Sequence, residues 1–372
     1  MISRRRFLTL MASAGLGTLL AACGGTEAAP TEGAALTTAT SAPPTQSGST
    51  PDPGGGTPSP EATPGAQQPK PDRSFSFAYL TLGWAGCEAI DEMGLLEDLG
   101  WNMEWQRVDQ ISALANAFNA GQVDIIDMSV VIAAQMFERG VDLRVFGAAV
   151  GTLGAIVVAP DSDIQSVEDL RGRSVAGVPG ATTTQDLVAL VRNAYDLDLL
   201  QDTEFVQGSA PPDVANLMIN EEVEAALIWE PTTARLTEMG TARILTTQQE
   251  LWQAASGTDT TQVHVTYVAP SSLAEEFPEL LTDINAAQEQ IAGLWTQGDE
   301  SLVQAFSAVT QLPPEVISVA LERTVPLYGL NDELKETIAQ QLKFNRENGV
   351  LLQDDRWLDT ERVKAELFWP TS

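Results

Sequence analysis

Histidine, cysteine and basic side chains are all scarce in this chain of 372 residues. One histidine and two cysteines are too few for the clusters that hold a zinc ion, so a His/Cys metal centre is excluded. Lysine and arginine number 20 against 51 aspartates and glutamates, which gives a formal net charge of −31. Because this charge repels phosphate backbones, nucleic-acid binding through a basic face is excluded as well.

The N-terminus has the three parts of a bacterial export signal. The basic residues Arg4–Arg6 precede an apolar run, Phe7–Leu20, which is shorter than the roughly 20 residues of a permanent membrane span. Two alanines and Cys23 follow, and this ending resembles a lipobox, whose cysteine is acylated after cleavage. Residues 1–22 are therefore predicted to be removed, leaving Cys23 as a lipid anchor on the extracytoplasmic side of the cell membrane. An ordinary secretory signal with an incidental cysteine is the alternative.

Residues 23–73 are rich in small and polar residues and contain Leu36 as their only large aliphatic side chain, with no aromatic. Such a segment cannot bury enough apolar surface to offset chain entropy, so a disordered tether is predicted. A plain spacer through a cell-wall layer is the alternative. Because Cys23 would carry the lipid, Cys87 would have no partner for an intrachain disulfide.

From Ser74 onward, apolar strands alternate with amphipathic helices, which is typical of an α/β fold. A helix followed by a strand recurs at an offset of one hundred residues, in 111–128 and again in 214–226, and this repeat predicts two related lobes. Chance similarity is the alternative. Residues 74–159 plus 263–372 are assigned to lobe 1 and residues 160–262 to lobe 2, with a cleft between them. The chain is predicted to cross between the lobes at Val157–Pro160 and to return at Val263–Ala269.

Four segments resemble the solute-binding proteins of bacterial transporters for nitrate, taurine, sulfonates and the pyrimidine precursor of thiamine. They are Gly94–Glu97, Ala120–Asp124, Val167–Gly172 and Trp229–Pro231. The resemblance implies a type II periplasmic-binding-protein fold and a monomer that delivers a small-molecule solute to an ABC permease and its ATPase. It implies no cofactor, no metal and no catalysis.

Side chains after the predicted strands are expected to face the cleft, because ligand sites favour the carboxyl ends of parallel strands. Trp84 and Trp229 are interpreted as stacking surfaces for a planar solute, although Trp229 is equally compatible with a buried hinge position. Threonines at the start of a predicted helix are interpreted as hydrogen-bonding groups, with a plain helix cap as the alternative. The candidate ligand-binding residues are Trp84, Cys87, Glu88, Asp109, Asp127, Ser129, Thr182, Thr183, Trp229 and Glu230.

Four of these candidates are carboxylates, Glu88, Asp109, Asp127 and Glu230, and any one of them could instead be a solvated or capping group. Taken together they predict an acidic cleft, which disfavours an anionic solute. A planar vitamin-type solute is therefore expected, with riboflavin as first choice and the thiamine pyrimidine precursor as second. Nitrate, taurine or an alkanesulfonate is the alternative.

Two other classes of protein are less well supported by the sequence. A pyrimidine-synthesis enzyme of the same fold needs a cysteine-rich motif and a catalytic histidine, whereas this chain offers only Cys87 and His264 after export. His264 lies in an alternating strand pattern that favours an ordinary structural role. A surface adhesin or scaffold is suggested only by the predicted anchor and tether.

Overall fold

The computed structural model of the chain describes residues 70–369. The predicted export signal at 1–22, the acylated Cys23 and the tether up to residue 69 lie outside the described residues. Between residues 70 and 369, no helix combines the length and the apolar character needed to cross a bilayer.

Strands and helices alternate along most of the described chain and are followed by a series of helices. The first elements are β1 (Ser74–Leu80), α1 (Cys87–Glu92), β2 (Asn102–Val108), α2 (Ile111–Asn119), β3 (Ile125–Ser129), α3 (Val130–Glu138), β4 (Arg144–Val150) and β5 (Gly154–Val158). Next come β6 (Ser174–Gly177), α4 (Thr182–Tyr195), β7 (Glu204–Gln207), α5 (Pro211–Ile219), β8 (Ala225–Trp229), α6 (Thr232–Glu238), β9 (Arg243–Thr247), α7 (Gln248–Ser256) and β10 (Val265–Ala269). The last helices are α8 (Ser271–Glu276), α9 (Pro278–Gln297), α10 (Glu300–Thr310), α11 (Pro314–Arg323), α12 (Asp332–Glu347) and α13 (Thr360–Leu367). Short 3₁₀ helices lie at Glu168–Leu170 and Asp355–Leu358.

Local spacing explains where these helices form and end. Helix α2 buries Leu114 and Phe118, which are four residues apart and therefore share one helix face. Helix α1 is shorter than the helix that the sequence predicts over 88–99. It ends at Glu92, and the backbone then turns at Gly94, whose φ of +65° is incompatible with continuing the helix.

Two five-stranded sheets form two lobes and share one strand order. The sheet of lobe 1 runs β2-β1-β3-β10-β4, and the sheet of lobe 2 runs β7-β6-β8-β5-β9. In both sheets the fourth strand is antiparallel to its neighbours. The fourth strand of the lobe 2 sheet, β5, follows β4 of lobe 1 in the chain. The fourth strand of the lobe 1 sheet, β10, follows α7 of lobe 2. Each lobe therefore contributes one strand to the sheet of the other.

The first crossing between the lobes lies earlier than the sequence predicts. Strand β5 pairs with β8 and β9 in lobe 2, although residues 74–159 are predicted to belong to lobe 1. All five residues of β5 are buried there, so Pro160 marks the end of an embedded strand rather than a passage between lobes. The predicted boundary at 159/160 is wrong, and the crossing runs from Val150 to Gly154. The return crossing also lies earlier than the predicted Val263–Ala269, because Val265–Ala269 form the buried strand β10 of the lobe 1 sheet.

The hundred-residue repeat has a counterpart in side-chain contacts. In lobe 1, Asp124 precedes β3 and accepts hydrogen bonds from the backbone N–H and the hydroxyl of Ser76. In lobe 2, Glu224 precedes β8 and accepts from the same two groups of Ser174. Each carboxylate also pairs with an arginine, at 2.7 Å and 2.8 Å respectively. The same kind of contact thus ties the first strand to the third in both lobes.

The end of the predicted tether is fixed to lobe 1. Lys70 Nζ lies 2.8 Å from Asp283 and 4.2 Å from the ring centroid of Trp101. Arg73 pairs with Asp124 at 2.7 Å. The prediction of a disordered tether is therefore wrong for residues 70–73, because these basic side chains find acidic and aromatic partners on the folded surface.

The C-terminal helices cover lobe 1 and reach lobe 2. Ile284, Trp295 and Phe306 of α9 and α10 belong to the same apolar cluster as residues of β1. At the end of α12, Phe344 packs edge-on against Trp252 of α7, with ring centroids 5.2 Å apart. Helix α12 therefore contacts both lobes.

A buried polar network joins both crossings to lobe 2. The Gln248 carboxamide oxygen accepts a hydrogen bond from the Gly154 backbone N–H at 3.1 Å. Its Nε2 donates to Gln262 at 3.1 Å and to Asp186 at 3.4 Å. The other oxygen of Asp186 accepts from Asn345 of α12 at 3.3 Å. One carboxyl group therefore lies where α4, α7 and α12 meet.

Burial shifts the pKa values of two titratable groups of this region in the directions that favour their neutral forms. It raises the pKa of Asp186 from 3.8 to about 7. It lowers the pKa of His264, on the return crossing, from 6.5 to about 4. Folding stability therefore depends on pH through both groups, with opposite signs.

Asp186→Asn is expected to remove a stability contribution that is largest in acid. The folded chain keeps a proton on Asp186 that the unfolded chain releases, so the advantage is complete below about pH 4 and is lost as the pH rises to about 7. Urea unfolding at pH 4 to 8 measures the difference in unfolding free energy between wild type and variant. This difference should fall by roughly 4 kcal/mol across that range.

His264→Gln serves as the control of opposite sign. The folded-state pKa of His264 is lowered, so the wild type should gain stability relative to this variant as the pH rises from about 4 to 6.5. A difference between wild type and Asp186→Asn that does not change with pH would contradict a buried, neutral Asp186.

Candidate functional site

A cavity of about 460 Å³ lies between the two lobes, near the carboxyl ends of parallel strands. Leu82 follows β1, and Thr232 and Arg235 belong to α6. Pro212 of α5, the end of α10 and the connection between α10 and α11 supply the remaining walls. Ligand sites in α/β proteins favour such positions. The lining residues are Leu82, Pro212, Thr232, Arg235, Thr310, Gln311, Leu312 and Pro313.

Three buried hydroxyl groups at the starts of helices have no hydrogen-bond partner within residues 70–369. Ser129 is the N-cap of α3, Thr182 is the first residue of α4 and Thr233 is the second residue of α6. Thr182 is 2% exposed and Thr233 is 0% exposed. A buried polar group without a partner costs about 1–3 kcal/mol, so three such groups at helix starts call for an explanation, although none of the three lines the cavity. A ligand with acceptor oxygens provides one.

His264 lies between the start of α3 and the start of α4. Its Nε2 lies 3.2 Å from Thr183 Oγ1 in lobe 2, and its carbonyl accepts from the Val130 backbone N–H at 3.0 Å in lobe 1. The next residue, Val265, lies opposite Ser129 in the sheet of lobe 1. The start of α3 and the start of α4 therefore lie on either side of the return crossing.

Arg235 is the charged residue of the cavity lining. It is half-buried in the last turn of α6. Among the described residues its guanidinium has neither a hydrogen-bond acceptor nor an ion-pair partner. By contrast, Arg323 of the adjacent helix α11 bonds to Thr237 at 3.0 Å and lies 3.5 Å from Glu230. A cation without an acidic partner is notable in a chain whose net charge is −31.

Glu88 points into the loop before it and does not point into the cleft. Its carboxylate accepts hydrogen bonds from the backbone N–H groups of Trp84 at 2.7 Å, Ala85 at 3.1 Å and Gly86 at 2.8 Å. It is fully buried, and burial raises its pKa although these backbone donors oppose the shift. Its predicted role as a ligand acceptor is wrong, because the loop itself occupies its oxygens.

The other two acidic candidates of lobe 1 differ in burial. Asp127 is 1% exposed and accepts from the Leu80 backbone N–H at 3.2 Å. Burial, and then the charge of Glu88, raise the pKa of Asp127 well above its usual range. Asp109 is exposed and accepts from the Thr81 hydroxyl at 3.0 Å.

Glu230 stabilises the start of α6. One carboxylate oxygen accepts from the Ala234 backbone N–H at 2.8 Å, and the other lies 3.5 Å from Arg323. Burial raises its pKa from 4.5 to about 7, with these two partners opposing the shift. The predicted acidic cleft is therefore wrong, since three of its four carboxyl groups are buried with pKa values shifted towards the neutral form and none lines the cavity.

Trp84 is a core residue. It is 0% exposed, its indole N–H donates to the Thr324 hydroxyl at 3.0 Å, and its ring packs 4.5 Å from Phe306 and 5.5 Å from Trp295. The predicted stacking surface is wrong, because α9 and α10 cover the ring. The neighbouring Cys87 is also fully buried, its thiol lies 3.7 Å from Glu88, and burial raises its pKa. Neither residue lines the cavity.

Trp229 occupies a position between the lobes. It is half-buried and packs against apolar clusters of both lobes. It stands at the end of β8, directly before the start of α6. This arrangement leaves both interpretations of Trp229 open, as a packed residue between lobes and as an aromatic contact for a solute.

Sequence reasoning reached Ser129, Thr182 and Thr183 but missed Thr233 and Arg235. Both missed residues follow the Trp229–Pro231 segment by only a few positions, in the helix that this segment begins. Their signal was present as two threonines followed by a lone arginine. The sequence interpretation selected the neighbouring Glu230 because of its charge.

Residues 94–306 match the family model described as "ABC transporter, phosphonate, periplasmic substrate-binding protein". The chain is also 24% identical over 273 residues to the putative aliphatic sulfonates-binding protein of Escherichia coli K12, covering 72% of this chain and 80% of that protein.

Two solved structures are similar in fold. The periplasmic aliphatic sulphonate binding protein from Escherichia coli has a TM-score of 0.66 and 22% identity, and the match covers 82% of this chain and 94% of that chain. The alkanesulfonate-binding protein from Xanthomonas axonopodis pv. citri, bound to MOPS, has a TM-score of 0.62 and 19% identity, with 75% and 94% covered. These likenesses confirm the predicted two-lobed α/β periplasmic-binding-protein fold.

Trp84→Ala is expected to lower the unfolding free energy by about 3–5 kcal/mol, because it opens a cavity inside a packed aromatic cluster. Denaturant unfolding of the purified chain measures the loss. Trp229→Ala is the matched control and should lose less, because Trp229 is partly exposed. If Trp84→Ala left stability within about 1 kcal/mol of wild type while weakening the binding of riboflavin, the core role of Trp84 would be refuted.

Proposed function

This chain belongs to the phosphonate family of periplasmic substrate-binding proteins of ABC transporters, and we propose that its solute is a small organic oxyanion of the sulfonate class. Such proteins deliver a small-molecule solute to a membrane permease. The proposal makes the chain a transport component and not an enzyme, with the solute held between the lobes and released unchanged.

The observation that carries this proposal is the set of unpartnered hydroxyl groups at helix starts. Ser129, Thr182 and Thr233 offer O–H donors at the N-termini of α3, α4 and α6. Helix N-termini favour negative charge, and a tetrahedral oxyanion has several oxygens that can accept from donors on different helices. The names of the sulfonate-binding relatives are consistent with this chemistry.

A planar vitamin needs an aromatic stacking surface and free carboxylate acceptors. Trp84 lies in the core and offers no stacking surface. The carboxylates of Glu88 and Asp127 accept hydrogen bonds from backbone N–H groups. Riboflavin and the thiamine pyrimidine precursor therefore serve here as the comparison solutes.

Binding to both lobes would favour the closed arrangement, because only there do donors from lobe 1 and lobe 2 meet one solute. Ser129 belongs to lobe 1, whereas Thr182 and Thr233 belong to lobe 2. The contact between Thr183 and His264, at 3.2 Å, lies beside these donors and joins lobe 2 to the return crossing. A solute that binds all three hydroxyl groups thus contributes to closure directly.

Thr182→Val and Thr233→Val are expected to weaken solute binding without harming the fold. Each removes a hydroxyl that has no partner in the folded chain, so the unfolding free energy should stay the same or rise by up to about 1 kcal/mol. Affinity for ethanesulfonate should fall about tenfold or more, because a hydrogen bond to a charged group is lost. Isothermal titration calorimetry and denaturant unfolding of the same samples measure both effects.

Thr246→Val is the control, since the Thr246 hydroxyl already bonds to Glu250 at 3.2 Å, away from the cleft. It should leave ethanesulfonate affinity unchanged. Saturable binding of riboflavin, together with no binding of ethanesulfonate, would reverse the proposed choice of solute.

We also propose that the mature protein is a monomer anchored to the extracytoplasmic face of the membrane through acylated Cys23. Cells that express the full chain with a labelled fatty acid should label the wild type and Cys87→Ser but not Cys23→Ser. Labelling that persists in Cys23→Ser would show that the anchor lies elsewhere.

A further inference from the structure

The cavity between the lobes has an apolar wall with one cationic side chain. Leu82 and Leu312, together with Pro212 and Pro313, supply the apolar surface. The polar residues of the wall are neutral apart from Arg235, and no carboxylate lines the cavity. A solute in this space would meet hydrocarbon contacts and one guanidinium.

Arg235 lacks the counter-ion that its neighbour has. Glu230, which precedes α6, lies 3.5 Å from Arg323, and Glu238 at the end of α6 is exposed and forms no ion pair with Arg235. A planar guanidinium suits bidentate binding of a carboxylate or sulfonate. Its half-buried position reduces competition from water, which strengthens such a pair.

Helix α6 carries this guanidinium and one of the three unpartnered hydroxyl groups, that of Thr233. Thr232 and Arg235 are three residues apart and both line the cavity, so they share one face of the helix. Thr233 is fully buried and does not line it. The rise from Thr232 to Arg235 is about 4.5 Å along the helix axis. A short organic chain can therefore span the distance between the start of α6 and the guanidinium.

We propose that Arg235 binds a second acidic group at the far end of the solute. The preferred solutes are then short organic oxyanions that carry a carboxylate or a second sulfonate, with a few apolar carbons between the two charged ends. This inference rests on the proposed function, because the first charged end is assigned to the hydroxyl groups of Ser129, Thr182 and Thr233.

A purely structural role for Arg235 makes a different prediction. A basic residue in the last turn of a helix interacts favourably with the helix dipole. If that were its whole role, replacement would change stability slightly and would leave the choice between solutes untouched. The ratio of two affinities therefore distinguishes the two roles.

The experiment compares 3-sulfopropanoate with propane-1-sulfonate by isothermal titration calorimetry on the purified full-length chain. The two probes share a sulfonate and a three-carbon chain and differ in the terminal carboxylate. Wild type should bind 3-sulfopropanoate about tenfold to a hundredfold more tightly. Arg235→Gln should bring this ratio close to one while leaving the affinity for propane-1-sulfonate within about threefold of wild type.

Arg192→Gln is the matched control, because Arg192 is an exposed arginine of lobe 2 that pairs with Asp198 at 2.7 Å and does not line the cavity. It should keep the wild-type ratio. A wild-type ratio near one, or a ratio that survives in Arg235→Gln, would overturn the role of Arg235 while sulfonate binding stands. Failure of the wild type to bind either probe would overturn the proposed function and this inference together.

Discussion

The side chain of Gln248 forms hydrogen bonds with both crossings between the lobes and with helix α4. Its oxygen accepts from Gly154 on the first crossing, and its nitrogen donates to Gln262 on the return crossing and to Asp186 of α4. Because all these partners are buried, the amide cannot exchange them for water without cost. The start of α4 depends on this arrangement, since Thr183 of α4 contacts His264 on the return crossing at 3.2 Å.

Two acidic side chains that were candidates for the cleft form hydrogen bonds or ion pairs with other groups of the chain. Glu88 is occupied by backbone N–H groups of its loop, and Glu230 is occupied by the start of α6 and by Arg323. The unpartnered groups that remain among the candidates include donors, namely three hydroxyls and the Arg235 guanidinium. A chain with a large negative charge can therefore present an anion site, because the local set of unpaired groups decides the electrostatics and the total charge does not.

The sequence predicted the elements well where local spacing decides them, as for α2, whose predicted and observed bounds coincide at Ile111–Asn119. It predicted the two lobes because the repeat is visible in residue order. It placed the first crossing too late, because an apolar strand before a proline has the same pattern in either lobe. It misassigned Trp84, because the direction of that loop side chain depends on helices more than two hundred residues away, such as α10. It misassigned Glu88, because the residue types do not show that the backbone N–H groups of the preceding loop turn towards its carboxylate. Arg235 escaped notice because the absence of a partner is a property of the folded chain.

The exchange of strands between the sheets restricts how this molecule can be divided. Strand β5 follows lobe 1 in the chain but completes the sheet of lobe 2, and β10 does the reverse. A polypeptide limited to β1–β5 would lack β10, the fourth strand of the lobe 1 sheet. It would carry β5, which belongs to the sheet of lobe 2. Two copies of such a half could satisfy both sheets only by swapping these strands, which is the geometry of a domain-swapped dimer. The single chain thus has the connectivity of two swapped halves joined end to end.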